Sequence, residues 1–168
     1  MEFDKVIRDR MATRKFSDKK VDDETINKIL EAGRLAPTAK NIQPIKIYTV
    51  SSDEGLLKID KASRCRYNAQ TVLIVCGNIE EAFKRGEHST YVIDSSIVAT
   101  HMMLEATNIG VDNIWVDLFD EDILRNEFNI PKSYIPVSLL MLGYKTDDCP
   151  YNVMHDKRKE LSDIVEYI

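Results

Sequence analysis

Apolar residues recur every three or four positions in several parts of the chain, which is the spacing of a helix with one buried face. The predicted helices cover residues 2–10, 23–36, 54–59, 91–108, 121–130 and 161–168. Asp22 or Asp23 is expected to cap the second helix and Asp120 the fifth. The second should end near Pro37, because the residue before a proline avoids helical backbone. The last is predicted from an apolar stripe formed by Leu161, Ile164, Val165 and Ile168.

The helix predicted for residues 91–108 is the longest and is poor in charge. Its only formal charges are Asp94 and Glu105, and Gly110 follows its last turn. A glycine just beyond the last turn is a common helix-ending signal. With so few charged positions, this helix is expected to be buried on most of its sides.

Short β-branched or continuously apolar runs predict strands over residues 45–50, 72–76, 114–116 and 137–142. The run 72–76 has no polar position, as expected for a strand that is covered on both faces. Helices and strands do not alternate strictly, so the predicted fold class is α+β. A chain of 168 residues fits one compact domain, and we expect residues 1–168 to form it.

Charge and composition narrow the possible partners. The net charge of -5 argues against nucleic acid, which usually requires a basic surface. No apolar run approaches the roughly 20 residues that span a bilayer, and the first residues contain no apolar signal core, so we expect a cytoplasmic protein without a membrane partner.

The cysteines Cys65, Cys76 and Cys149 are scattered, and no histidine is spaced with them as a ligand, so we expect neither a disulfide framework nor a metal site.

The glycines are too widely separated to form a G-x-G-x-x-G or Walker-type phosphate loop. A phosphorylated cofactor would therefore have to be held by cationic side chains. Arg10 and Arg14 are four residues apart and can reach one point if the first helix continues that far. A second basic cluster, residues 157–159, lies near the C-terminus. The more common alternative is that such residues are solvated or complement a helix dipole.

The segment between Leu35 and Pro44 leaves a helix and enters a strand. It carries Thr38, Asn41 and Gln43, whose side chains can hydrogen-bond. The amide heads of Asn and Gln each offer a donor and an acceptor, which suits the polar edge of a heterocycle or a ribityl chain. The alternative is a rigid turn whose amides satisfy the local backbone.

Two other clusters have a functional and a structural interpretation, and we favour the structural one for both. Asp94, His101 and Glu105 share one face of the long helix and can form an acid/base group, but a structural hydrogen-bond network at an interface is the preferred interpretation. Cys65 lies between Arg64 and Arg66, which can activate a thiol, but a spectator cysteine is preferred.

Several separated motifs resemble those of the nitroreductase family, in the same order and over nearly the whole chain. Residues 10–16, RMATRKF, resemble its opening R-R-S-x-R-x-F. Residues 36–44, APTAKNIQP, resemble A-P-S-x-x-N-x-Q-P, the most specific element. Residues 94–110 are similar to its D-x-x-x-A-x-x-x-M-x-L-x-A-x-x-x-G helix, and residues 115–119 to the segment after it. Residues 142–144 match its L-G-Y strand, and Arg158 its late basic residue.

The resemblance implies a nitroreductase-like fold with a central, mostly antiparallel sheet, flanking helices and an intertwined homodimer that binds FMN at its interface. Arg10 and Arg158, with Lys157, would hold the phosphate, and Arg14 would lie near the pyrimidine edge of the flavin. Further implied cofactor contacts are Met11, Ala12, Pro37, Thr38, Ala39, Asn41, Gln43, Trp115, Val116, Asp117 and Leu118. Of these, Pro37, Thr38, Ala39 and Asn41 would come from the second subunit. Residues 115–118 would line the other face of the ring, with the Asp117 N–H aimed at N5.

The reaction implied is hydride transfer from NADH or NADPH, through flavin N5, to a nitroaromatic, a quinone or a similar small acceptor. No side chain need act as a catalytic residue, since the flavin carries the hydride and Arg14 contributes electrostatically. The alternatives are another reaction on the same fold, namely dehalogenation, enoate reduction or flavin fragmentation, and a non-catalytic FMN-binding or redox-responsive protein. The acceptor and the choice between NADH and NADPH stay open.

The chain departs from the family pattern at two positions. Ala12 replaces the usual serine, and Met11 the usual arginine or histidine. The missing hydroxyl is expected to weaken FMN binding by roughly 1–2 kcal/mol. Lys61, Arg64 or Arg66 is expected to add a flavin contact, without a motif that chooses among them.

Overall fold

The computed structural model describes residues 2–168. Its helices are α1 (Phe3–Asp9), α2 (Asp23–Arg34), α3 (Asp53–Ala62), α4 (Tyr91–Asn108) and α5 (Glu121–Phe128). Its strands are β1 (Ile45–Val50), β2 (Thr71–Asn78), β3 (Lys84–Arg85), β4 (His88–Ser89), β5 (Asp112–Val116) and β6 (Tyr134–Gly143). Short 3-10 turns lie at Ala39–Asn41, Val153–His155 and Leu161–Asp163. Within the described range, no helix has the length and apolar character needed to cross a membrane.

The main sheet is antiparallel, with the strand order β1-β2-β6-β5. β2 and β6 are the central strands, and their side chains alternate between two buried clusters. Val72 and Ile74 belong to the cluster that includes residues of α3 and α5, whereas Leu73 and Val75 belong to the one that includes residues of α2 and α4. This double burial explains the unbroken apolar runs, and the α+β prediction is confirmed.

Local sequence signals set most of the helix ends. The side chains of Asp22, Ser52 and Asp120 each accept a hydrogen bond from a backbone N–H in the first turn of α2, α3 and α5, respectively. After α4, the N–H of Gly110 bonds to the carbonyl of Thr107, and the N–H of Val111 to that of Ala106. Gly110 has φ +80° there, the left-handed conformation that this helix ending requires.

Two expectations for the helices are wrong or incomplete. α1 ends at Asp9, so Arg10 and Arg14 do not share a helical face. The predicted C-terminal helix is absent except for the turn Leu161–Asp163. The apolar stripe that predicts it stays largely exposed, with Leu161 at 65% and Ile164 at 66%, and an isolated short helix is unstable without packing. The small β3–β4 hairpin was not predicted.

Candidate active site

The segment that carries Arg10 and Arg14 runs along the β5 edge of the sheet. Ala12 forms a parallel bridge with Asn113, and the N–H of Thr13 donates to the Asn113 carbonyl at 3.0 Å. Further along, Phe16 bridges to Lys145 and is buried in the core. The sheet, and not a continued helix, therefore fixes the course of this segment.

The C-terminal segment returns to the same place. The Nε2 atom of His155 lies 2.8 Å from the carbonyl oxygen of Arg8, at the end of α1. This contact brings Arg158 near Arg10. Burial first, and then the positive charge of Arg158, lower the pKa of the half-buried Arg10 guanidinium from its ordinary value. Lys157 is exposed beside Arg158.

These two arginines have no carboxylate partner anywhere in residues 2–168. The hydrogen bond that Arg158 makes goes to the backbone carbonyl of Lys157. By contrast, the nearby Arg8 is paired with Asp4 at 2.9 Å. Two close guanidinium groups without an acidic partner repel each other, and an anion placed between them would relieve that repulsion.

Arg14 lies at the other end of the segment, against Tyr67. A hydrogen bond with Cys65 and burial raise the pKa of the Tyr67 hydroxyl, and Arg14 acts on it in the opposite direction. The N–H of Phe16 donates to the Tyr67 carbonyl at 3.0 Å, and the Asn68 amide donates to the Phe16 carbonyl at 3.1 Å. Residues 63–68 therefore form a loop, called here the Tyr67 loop, that supports the Arg14 segment.

The Tyr67 loop is the part of the site that the sequence located least well. Tyr67 and Asn68 both have left-handed backbone, with φ +53° and +67°, which is uncommon for residues with a side chain. Asn tolerates this conformation better than most residues, but nothing in the sequence signals it at Tyr67.

The Tyr67 loop also touches the segment after β5. The Ser63 hydroxyl donates to the Leu118 carbonyl at 2.7 Å. Asp117 and Leu118 are exposed here, whereas Val116 is buried in the core and Trp115 packs partly against the opposite cluster. Of the predicted residues 115–118, only the last two present their side chains openly.

The sequence offers three basic residues, Lys61, Arg64 and Arg66, for a further flavin contact, and their salt bridges distinguish them. Lys61 pairs with Glu127, and Arg66 pairs with Asp60 at 2.7 Å. Arg64 is exposed and has no carboxylate partner among the described residues. Arg64 is therefore the cation of this loop that remains available to a ligand.

The predicted amide-rich segment forms a tight turn before β1. Lys40, Asn41 and Gln43 all have positive φ, between 52° and 57°. The Gln43 N–H donates to the Thr38 hydroxyl at 2.9 Å, and the Gln43 side chain donates to the Asn41 carbonyl at 3.2 Å. The side-chain amide of Asn41 has no hydrogen-bond partner within residues 2–168 and is exposed.

This turn and the arginine segment lie at diagonally opposite corners of the sheet. Ile45 pairs with Gly77, which pairs with Ile135 at the start of β6, whereas Asn113 pairs with Leu142 near its end. At about 3.3 Å per residue, the two corners are roughly 20–25 Å apart along the strands alone. One chain therefore does not bring all the predicted site residues together.

The amide-rich turn and the arginine segment border different cavities. The cavity beside the turn holds about 210 Å³ and includes Thr38 and Gln43 in its wall. That is below the roughly 300–1,000 Å³ of typical ligand pockets. Met11 lines a different groove of about 500 Å³, together with Asp112 and Tyr151.

Within one chain, Asp94, His101 and Glu105 do not bond to one another along α4. Asp94 is buried, and its carboxylate accepts hydrogen bonds of 2.8 Å from the Ala39 N–H and from the Thr90 hydroxyl. The exposed His101 ring contacts the carbonyl of Ile97, and Glu105 bonds to Asn108. Cys76, as expected, is a buried core thiol, and burial raises its pKa to about 12.

Comparison with known proteins gives consistent matches. Residues 7–68 and 66–144 match the model of the Nitroreductase family. The crystal structure of a nitroreductase family protein from Clostridium difficile is 36% identical and has a TM-score of 0.93, with 99% of this chain and 98% of that chain covered. An Archaeoglobus fulgidus protein with the provisional name NADH dehydrogenase/NAD(P)H nitroreductase is 29% identical over 91% of each chain. A Bacteroides fragilis nitroreductase with bound FMN shares the fold, with a TM-score of 0.80 and 18% identity, over 100% of this chain and 99% of that one.

Proposed function

The chain belongs to the nitroreductase family, and from this premise we propose that it is an FMN-dependent oxidoreductase that uses NADH or NADPH. The observation that carries the proposal is the proximity of Arg158 to Arg10, neither of which has a carboxylate partner in residues 2–168. The FMN bound to the Bacteroides fragilis relative and the names of the other relatives are consistent with it.

The arginine pair fits the phosphate of FMN. A phosphate supplies the negative charge that is missing beside these two guanidinium groups. Its oxygens also match the planar donor geometry of a guanidinium group. Lys157 adds a third positive charge beside Arg158. In this proposal these residues hold the cofactor by its phosphate, in place of a glycine-rich loop.

Arg14 and the exposed end of the β5 segment fit the flavin ring. Arg14 lies against the Tyr67 loop, and Leu118 touches the same loop through Ser63. A fixed cation beside the pyrimidine edge favours the negative charge that the ring acquires on reduction. The Asp117 N–H and the Leu118 side chain would then border the ring, and Trp115 and Val116 would support them from the core.

The amide-rich turn is proposed to reach the cofactor from a second copy of the chain. Its distance from the arginine segment in one chain supports this arrangement, because a two-fold axis can place this corner of one chain against the arginine corner of its partner. Asn41 has a side-chain amide available for a flavin contact, and Thr38 and Gln43 hold the backbone around it. The active form would then be a homodimer.

Bound FMN would supply the redox chemistry, accepting hydride from NADH or NADPH at N5 and passing it to a nitroaromatic, quinone or similar small acceptor. The side chains of this chain bind and orient the reactants and exclude water. No nucleophile with an adjacent base is required for these tasks.

The visible spectrum of the purified protein tests the cofactor proposal. We expect absorbance near about 450 nm, either at once or after incubation with FMN, since this is the flavin signature. Steady consumption of NADH or NADPH with a quinone then separates an enzyme from a non-catalytic FMN-binding protein. A protein that stays colourless with excess FMN would contradict the proposal, and a coloured protein that does not turn over would restrict it to binding.

A further inference from the structure

Asp94 is a buried acidic residue that the proposed chemistry does not use. It is 1% exposed, and no lysine, arginine or histidine forms a salt bridge with it among the described residues. Its carboxylate accepts hydrogen bonds from the Ala39 N–H and from the Thr90 hydroxyl, both at 2.8 Å. Its place in the first turn of α4 adds the favourable field of the helix N-terminus.

The hydrogen bond to Ala39 joins α4 to the start of a backbone that is unfavourable by itself. Ala39 opens the turn in which Lys40, Asn41 and Gln43 adopt positive φ. Residues with a side chain avoid this conformation, so it persists only where the surroundings hold it. The turn needs an external anchor.

Asp94 provides the side-chain part of that anchor. Within residues 2–168, no other side chain from outside residues 36–44 donates or accepts a hydrogen bond with this turn. The exit of the turn is held by the backbone, where the Asn78 N–H donates to the Pro44 carbonyl at 2.8 Å. Lys40 also lies over the Phe83 ring, 4.4 Å from its centroid.

We propose that Asp94 is a positioning residue for the cofactor: by fixing the Ala39 N–H, it sets the turn that presents Asn41 to the flavin held by the partner subunit. This inference rests on the proposed function. It also explains the position of a charge in an otherwise lightly charged helix, because a buried carboxylate makes a stronger hydrogen bond to a backbone N–H than a neutral group does.

The test measures FMN affinity by fluorescence titration in variants of the full chain. In Asp94→Ala the dissociation constant should rise about tenfold or more, because a charge-assisted hydrogen bond is lost. Asp94→Asn keeps an oxygen acceptor for the Ala39 N–H and should stay within about threefold of the wild type. If Asp94→Ala does not fold, we expect the same loss of FMN affinity in Asp94→Ser, because the serine side chain is too short to reach the Ala39 N–H.

Ser52→Ala is the control for general destabilisation. The Ser52 side chain accepts a hydrogen bond from the Gly55 N–H and caps α3, beyond the opposite end of β1 from the Ala39 turn. Losing this cap should lower the stability of the chain without a change in FMN affinity. Amide hydrogen exchange of residues 36–44, measured without FMN, should speed up in Asp94→Ala and not in Ser52→Ala.

The outcomes distinguish the two proposals. If the wild type binds no FMN, the proposed function fails, whatever the exchange data show. If the wild type binds FMN and Asp94→Ala binds it equally well, the positioning role alone is overturned. Equal weakening in Asp94→Ala and Ser52→Ala would also overturn it, because the effect would then come from general destabilisation.

Discussion

The Nε2 atom of His155 lies 2.8 Å from the carbonyl oxygen of Arg8 and joins the C-terminal segment to the end of the first helix. The contact involves a side chain on one side and only backbone on the other. Its consequence is electrostatic, because it holds Arg158 near Arg10. The proposed phosphate site therefore depends on a residue that does not itself contact the phosphate.

Replacing this histidine should loosen the phosphate site. In His155→Ala we expect FMN affinity to fall roughly threefold to tenfold, the effect of one lost neutral hydrogen bond. His155→Gln, which retains a side-chain N–H donor, should recover part of the affinity. Fluorescence titration measures both. His88→Ala serves as the control, because His88 is exposed in the β3–β4 hairpin, and an equal loss there would contradict the prediction.

Removing the half-buried Arg10 should have a larger effect. Arg10→Ala is expected to weaken FMN binding roughly tenfold to a hundredfold, since hydrogen bonds to charged groups contribute about 1.5–3 kcal/mol. Arg8→Ala is the matched control, because that side chain is exposed and paired with Asp4. Isothermal titration of the apoprotein with FMN distinguishes the two, and comparable losses in both variants would exclude a specific phosphate contact.

Mixing two defective variants tests whether each site is built from both subunits. Arg10→Ala damages the arginine corner and Asn41→Ala the opposite corner of the sheet. After the subunits have been dissociated and reassociated, half of the dimers are mixed, and each mixed dimer has one site with neither substitution. About a quarter of the wild-type activity should return. If no activity returns although mixed dimers have formed, each chain must complete its own site.

Restoring the hydroxyl that the family pattern carries should tighten cofactor binding. Ala12→Ser is expected to lower the FMN dissociation constant by about fivefold to thirtyfold, which corresponds to about 1–2 kcal/mol. Ala12 is partly buried, so Ala12→Cys controls for the added volume without a good hydrogen-bond donor. Tightening by both substitutions alike would assign the gain to packing.

The end of β2 should tolerate no side chain at Gly77. A Cβ atom there would lie 2.8 Å from the Tyr91 carbonyl oxygen and 2.7 Å from the Ser95 hydroxyl, at the start of α4. We expect Gly77→Ala to lower the free energy of unfolding by about 1–3 kcal/mol, measured by urea denaturation. Gly86→Ala meets no atom within 4 Å and should cost only about 1 kcal/mol for its positive φ. A smaller loss at Gly77 than at Gly86 would contradict the prediction.

The sequence by itself determined the helices and strands whose signals are local. Asp22, Asp120 and Gly110 mark helix ends through bonds within a few residues, and the apolar runs of β2 and β6 record burial on both faces. The family motifs also predict Arg10, Asn41 and Arg158 as cofactor contacts. The helix ends and the strands can be predicted without the fold, because the partners of a cap are close in sequence and the apolar pattern is continuous.

Only the tertiary structure decided how the site is assembled. It brought Arg158 near Arg10, neutralised Arg66 with Asp60, and joined Asp94 to Ala39 rather than to His101 or Glu105. It also left the C-terminal stripe largely exposed, so the predicted helix did not form. Such contacts join residues far apart in sequence, and their energies depend on burial and on neighbouring charge. Neither quantity is defined until the chain has folded.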